Sequence, residues 1–218
     1  LCAIGVDLGI FEDLAKNGPA TSQELADRTN LDERYLREWG LGMFSLGYLD
    51  FDKVSRKISL NKEFIPVLVE EGGKFSQKGL IEILNSSLLP YHELLNSFKN
   101  GGGINYDKID KGFWNGIDQT GCTRYRHFLV TDWVDKMPEL KSRLETGSVT
   151  FADFGCGSGR STIEMAKKFP KSQFFGFDLF EPNIERAKKI ALDDGVKNNL
   201  KFMQWDVSNP LTEKFDFV

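Results

Sequence analysis

Three glycines and three acids carry the chemistry legible in this 218-residue chain. Gly155, Gly157 and Gly159 stand between a predicted strand at 149–154 and a predicted helix at 161–169. Glycine there lets the backbone turn sharply and approach a ligand closely. The spacing is G-x-G-x-G. A dinucleotide site prefers G-x-G-x-x-G, with the pyrophosphate on the helix N-terminus, and here Arg160 takes the place of its third glycine. Asp153, two residues before Gly155, suits a ligand carrying an ammonium group. Asp178 ends the next predicted strand, where a carboxylate can accept hydrogen bonds from both hydroxyls of a ribose. Asp206 ends the third, within reach of the amino group of an adenine ring, and Val207 offers a backbone N–H beside it. Leu179 and Trp205 supply apolar contact for such a ring. The competing readings are a strand-to-helix turn without a ligand, and helix capping for Asp178 or Asp206. Cys156 sits where a small side chain is wanted, so its reading is structural rather than that of a reactive thiol.

These residues need a scaffold that brings strand ends together. Predicted strands at 149–154, 173–178, 201–206 and from 215 alternate with helices at 161–169 and 181–192, the latter with Pro182 in its first turn. That alternation predicts an α/β, doubly wound parallel sheet, whose ligands bind beyond the carboxyl ends of the strands. Upstream, residues 1–16 read as one amphipathic helix stopped by Asn17-Gly18-Pro19. Thr21 opens a second helix, with Glu24 at capping-box spacing. A third spans 33–46, with Tyr35, Leu36, Trp39, Met43 and Leu46 on its apolar side. Short strands at 47–51 and 57–60 follow. This is the order of a winged helix-turn-helix. Between the two parts the pattern is helical: 64–69, 79–98 with an interruption near Pro90, 120–133 and 139–144, broken by glycines at 101–103. The expected organisation is a winged-helix domain at 1–69, a helical connector at 70–147 and a Rossmann-like domain at 148–218.

Twenty-eight basic and 32 acidic residues leave a net charge of −4, which gives no general pull toward nucleic acid or anionic membrane. Between Thr21 and Lys57 the count is six basic to seven acidic, and the would-be recognition helix opens on Asp32 and Glu33, which face phosphates poorly. Cys2, Cys122 and Cys156 match no zinc or redox spacing, so no metal is expected and a reducing, cytoplasmic location is. No apolar run reaches the ~18 residues of a membrane span. The chain lacks an initiator Met and its last residues read as a strand just beginning, so a piece of a longer protein is expected. His92 and His127 read as packed or surface histidines and are given no catalytic role.

Residues 148–218 resemble the first half of a class I S-adenosylmethionine (SAM)-dependent methyltransferase domain. Asp153 to Gly159 resembles that family's first motif, Gly176-Phe177-Asp178 its second and Gln204-Trp205-Asp206-Val207 its third. The resemblance implies methionine contacts near Asp153, Gly155, Cys156 and Gly157, ribose at Asp178, and adenine at Leu179, Asp206 and Val207. The whole chain resembles a subgroup in which a winged-helix domain, used for dimerisation, precedes the methyltransferase domain. It implies methyl transfer to a small-molecule acceptor by a homodimer, with the later strands and helices of the family's domain missing here. The alternative is a winged-helix DNA-binding regulator with SAM as effector. A nicotinamide-dependent oxidoreductase ranks third, because of Arg160 and the three-acid pattern.

Overall fold

The computed structural model describes residues 1–87, 91–105 and 108–218, which fold as two units, Leu1–Thr120 and Gly121–Val218. The single helix expected at the N-terminus is two, α1 (Cys2–Asp7) and α2 (Ile10–Asn17). The correction has a local cause. Gly9 takes φ 66°, a left-handed conformation that ends one helix and caps the next. The break lets α1 lie on α2, where Gly5 approaches the rings of Phe11 and Trp39 too closely to admit a Cβ.

Helix α3 (Ser22–Thr29) begins on the expected capping box: the Glu24 N–H donates to the Thr21 hydroxyl, and the Thr21 N–H donates to the Glu24 carboxylate. In α4 (Glu33–Ser45) the Asp32 carboxylate accepts from the Tyr35 N–H. The wing is an antiparallel pair, β1 (Leu49–Phe51) and β2 (Ile58–Leu60), with Leu49 opposite Leu60 and Phe51 opposite Ile58. Ala20 adds a bridge to Ile58 on the other edge. Phe11, Leu25, Leu36, Trp39, Met43 and Leu49 form the core of this region. Each such side chain contributes roughly 1.5–3 kcal/mol on burial. Tyr35, expected on the apolar side of its helix, is 77% exposed and lies outside that core.

A short 3₁₀ turn (Lys62–Phe64) and α5 (Ile65–Leu68) lead to α6 (Lys78–Ser87) and α7 (Tyr91–Asn100). The interruption expected near Pro90 falls outside the described residues. Helix α8 (Lys111–Arg124) starts well before the expected Thr120. Gly112 and Gly116 lie within this helix, and both are contact points. A Cβ on Gly116 would lie 2.6 Å from the Gly79 carbonyl oxygen, and one on Gly79 would lie 2.7 Å from the Gly116 carbonyl oxygen. Glycine at both positions lets the α6 and α8 backbones touch.

In the second unit the helix continues as a π-helical segment (Tyr125–Trp133), then a 3₁₀ turn and α9 (Pro138–Thr146), closed by Gly147 in the left-handed region. Strands β3 (Thr150–Phe154), β4 (Gln173–Asp178) and β5 (Leu200–Gln204) form a parallel sheet in the order β3-β4-β5. On the free edge of β3, Phe217 makes a parallel bridge to Phe151, and the Ala152 N–H donates to the Phe217 carbonyl at 2.9 Å. Pairing thus leaves β3 in both directions, which makes its carboxyl end the switch point where such sheets hold ligands. Helices α10 (Arg160–Lys168) and α11 (Glu181–Asp193) follow β3 and β4. Ile163, Ile184, Ala187 and Phe202 pack beneath the loop after β3. The buried Asn199 amide donates to the carbonyls of Ala166, Phe169 and Ser172, closing the end of α10.

Candidate functional site

The loop after β3 is built on three glycines with positive φ: Gly155 (79°), Gly157 (55°) and Gly159 (73°). A side chain at Gly159 would run into the Phe202 ring and Ala187, so this glycine is needed for packing. A Cβ on Gly155 or Gly157 would meet nothing within 4 Å. Their backbone faces open space instead, as close approach of a ligand requires. The Gly155 and Cys156 N–H groups both donate to the Phe177 carbonyl, at 2.7 and 2.9 Å, tying the start of the loop to β4.

The three acids sit at or just beyond three neighbouring strand ends, with different partners. Asp153, on β3, accepts from the Ser161 hydroxyl at 2.7 Å and the Thr162 hydroxyl at 2.8 Å, both on one oxygen. Thr162 is fully buried, so α10 fixes the Asp153 carboxylate from beneath. Asp178 closes β4. Its Oδ2 accepts from the Gly157 N–H at 2.9 Å, and its Oδ1 accepts from the Phe180 N–H at 2.8 Å and the Asn183 amide at 3.3 Å. This carboxylate joins the glycine loop to the start of α11. Strand β5 ends at Gln204, so Asp206 is two residues past the strand rather than its last residue. The cause is local: Asp206 accepts from the N–H and hydroxyl of Ser208, at 2.9 and 2.7 Å, and caps its own turn. The Ser208 hydroxyl and N–H hold its carboxyl below the ordinary value. The Trp205 N–H donates to the Asp178 carbonyl, carrying the β4–β5 pairing one step beyond the sheet. Leu179 and Val207, 65% and 70% exposed, present apolar side chains at these two adjacent ends.

Cys156 lies inside the loop, with its sulfur beside the Gly176 backbone. Burial pushes its thiol up to about 12, and the charges of Asp153 and Asp178 push the same way. Such a thiol fills space and is a poor nucleophile at neutral pH. His92 lies on α7 in the other unit, and His127 lies in the π-helical segment. Among the described residues no group of three or more His, Cys, Asp or Glu is placed to hold a metal ion, and no helix is long and apolar enough to cross a membrane. Sequence reasoning passed over Ser161, Thr162 and Asn183. The signal was available: a hydroxyl pair in the first helical turn after a glycine loop, and an amide in the first turn after Asp178.

Residues 1–69 match the Rv2258c-like winged HTH domain, and residues 145–218 match a methyltransferase domain family. A similar protein is the uncharacterized protein RP028 of Rickettsia prowazekii, 37% identical over 76 residues, which are 34% of this chain and 30% of that protein. Another is the tRNA (guanine-N(7)-)-methyltransferase of Christiangramia forsetii, 39% identical over 46 residues, 21% of this chain and 20% of the relative. Among solved structures, PigF with SAH superposes with a TM-score of 0.71 at 16% identity, covering 99% of this chain and 65% of PigF. Human N-acetylserotonin methyltransferase in complex with SAM gives 0.67 at 15%, covering 99% of this chain and 64% of that one. The chain therefore spans less than two thirds of the length of each of these proteins. By these likenesses and by its sheet, the chain has an N-terminal winged helix-turn-helix fold followed by an α/β fold like that of methyltransferases of class I, Rossmann-like architecture.

Proposed function

We propose that residues 148–218 seat SAM and that the protein transfers its methyl group to a small-molecule acceptor. The observation that carries this is the meeting of an open-faced glycine loop with acids at or just past three adjacent strand ends, Asp153, Asp178 and Asp206. The donor set fits a nucleoside bearing an amino acid. Asp153 would take the ammonium group, with Gly155, Cys156 and Gly157 lying along the methionine chain. Asp178 would take the ribose hydroxyls. Leu179, Asp206 and Val207 would take the adenine edge and face. When bound, SAM supplies a methyl group already activated by its sulfonium, so alignment with the acceptor and exclusion of water count for more than a strong base. No residue of this chain is assigned as a base.

The small-molecule acceptor is favoured by the net charge of −4 and by the acidic opening of α4. We infer that residues 1–69 dimerise rather than bind DNA, since Leu8 and Leu46 stand 51% and 61% exposed there. Residues 70–147 would then connect that domain to the SAM seat, and the location would be cytoplasmic. Calorimetric titration of the full chain with S-adenosylhomocysteine tests the reading. Saturable binding is expected, weakened at least about tenfold by Asp178→Ala. Preferential binding of NADH would replace the methyltransferase reading with an oxidoreductase. Salt-dependent retardation of duplex DNA in a gel would favour a regulator instead.

A further inference from the structure

The Asp178 carboxylate is nearly saturated by donors of the protein itself. A carboxylate offers roughly four lone-pair directions. Among the described residues three donors use them: the Gly157 N–H at 2.9 Å, the Phe180 N–H at 2.8 Å and the Asn183 amide at 3.3 Å. A vicinal diol brings two more donors. One existing partner must therefore give way. Two of the three are backbone groups, fixed by the loop after β3 and by the start of α11. Asn183 is the only side chain among them, it makes the longest of the three bonds, and it is not fully buried. It is the partner that can leave by rotating about its own side-chain torsions.

We propose that Asn183 is a latch on the ribose seat: its amide donates to the Asp178 carboxylate and must release it when a ligand with both ribose hydroxyls binds. The inference rests on the assignment of Asp178 to ribose made above. The residue is a positioning residue for the cofactor, not a catalytic one. Its cost falls on ligands that need two acceptor positions. A ligand with one hydroxyl can use the remaining direction and leave the Asn183 bond in place. Asn183 thus tunes the discrimination between ribose and deoxyribose as well as affinity.

The test uses the full chain, wild type against Asn183→Leu, which keeps similar bulk but donates nothing. Asn183→Ala serves as a second variant, and thermal unfolding confirms that each is folded. Each protein is titrated calorimetrically with S-adenosylhomocysteine and with its 2′-deoxy analogue. The expected result is binding of S-adenosylhomocysteine about three- to tenfold tighter in the variants, the scale of one net hydrogen bond. The gain for the 2′-deoxy analogue should be clearly smaller. Weaker binding in the variants, or equal gains for both ligands, overturns the latch. If neither wild type nor variants bind either ligand, the assignment of the nucleoside seat itself fails.

Discussion

Gly79 and Gly116 in the first unit, and Gly155 and Gly157 in the second, are one residue type under opposite constraints. A Cβ on Gly116 would sit 2.6 Å from a carbonyl oxygen, whereas one on Gly155 would meet nothing within 4 Å. The α6–α8 pair uses glycine to remove side chains so that two helices can touch, and there φ is ordinary. The loop after β3 uses glycine to hold a left-handed backbone beside empty space. The first arrangement lowers the energy of the fold. The second costs chain entropy and gains nothing from packing at Gly155 or Gly157. Open space held at a cost is what a binding loop needs, and the polar partners around it agree. In the first unit, Thr21 and Asp32 cap the helices they precede. In the second, Asp178 spends its hydrogen bonds on fixing a loop and the start of a helix.

The contrast can be broken by substitution. Gly116→Ala should destabilise the fold most, by about 2–3 kcal/mol in urea unfolding, because overpacking outweighs the ~1 kcal/mol helix gain of alanine. An unchanged midpoint would mean that α6 and α8 do not touch. Thr162→Val removes a buried donor from Asp153 and should cost about 1–2 kcal/mol, while also weakening S-adenosylhomocysteine. Gly155→Ala should cost only about 1 kcal/mol of stability for its φ of 79°. The same change should lower affinity for S-adenosylhomocysteine at least about tenfold, since the new methyl group enters the open space. Equal losses of affinity in Gly116→Ala and Gly155→Ala would erase the distinction.

The smallest expected effect concerns Cys156. Its thiol, pushed up from 9.0 to about 12, should stay unmodified by a thiol reagent at pH 8, whereas the half-buried Cys2 and Cys122 react. The folded thiol keeps its proton longer than the unfolded one. Its contribution to stability is therefore complete below pH 9 and falls as pH rises toward 12. Cys156→Ala should flatten that alkaline decline.

Much of this architecture is legible in the sequence because local chemistry and global fold agree. Thr21 and Glu24 announce α3, and the apolar run before Asp178 gives β4 with its observed limits. The failures share a physical reason. Gly9, Gly112 and Gly116 have one-letter identity but two meanings: Gly9 breaks a helix by its φ, and Gly116 joins two helices by its missing side chain. Nothing in the local sequence separates these, because the second depends on a neighbour 37 positions away, Gly79 against Gly116. Tyr35 has the right spacing for the apolar side of α4 and still points to solvent. The positions of Asp153 and Asp178 on their strands follow from strand periodicity, whereas Asp206 falls two residues past its strand, and the partners of all three do not follow. Ser161, Thr162 and Asn183 act through side-chain geometry that only the folded loop reveals.

The most direct test of a single nucleoside seat is a backbone amide NMR titration of the full chain with S-adenosylhomocysteine. The largest shifts should fall together on Gly155, Gly157, Leu179 and Val207, with saturation at one concentration scale, while the amides of α6 and α8 near Gly79 and Gly116 stay in place. Shifts confined to the first unit, or saturation of the glycine loop without any change at Leu179 and Val207, would contradict it.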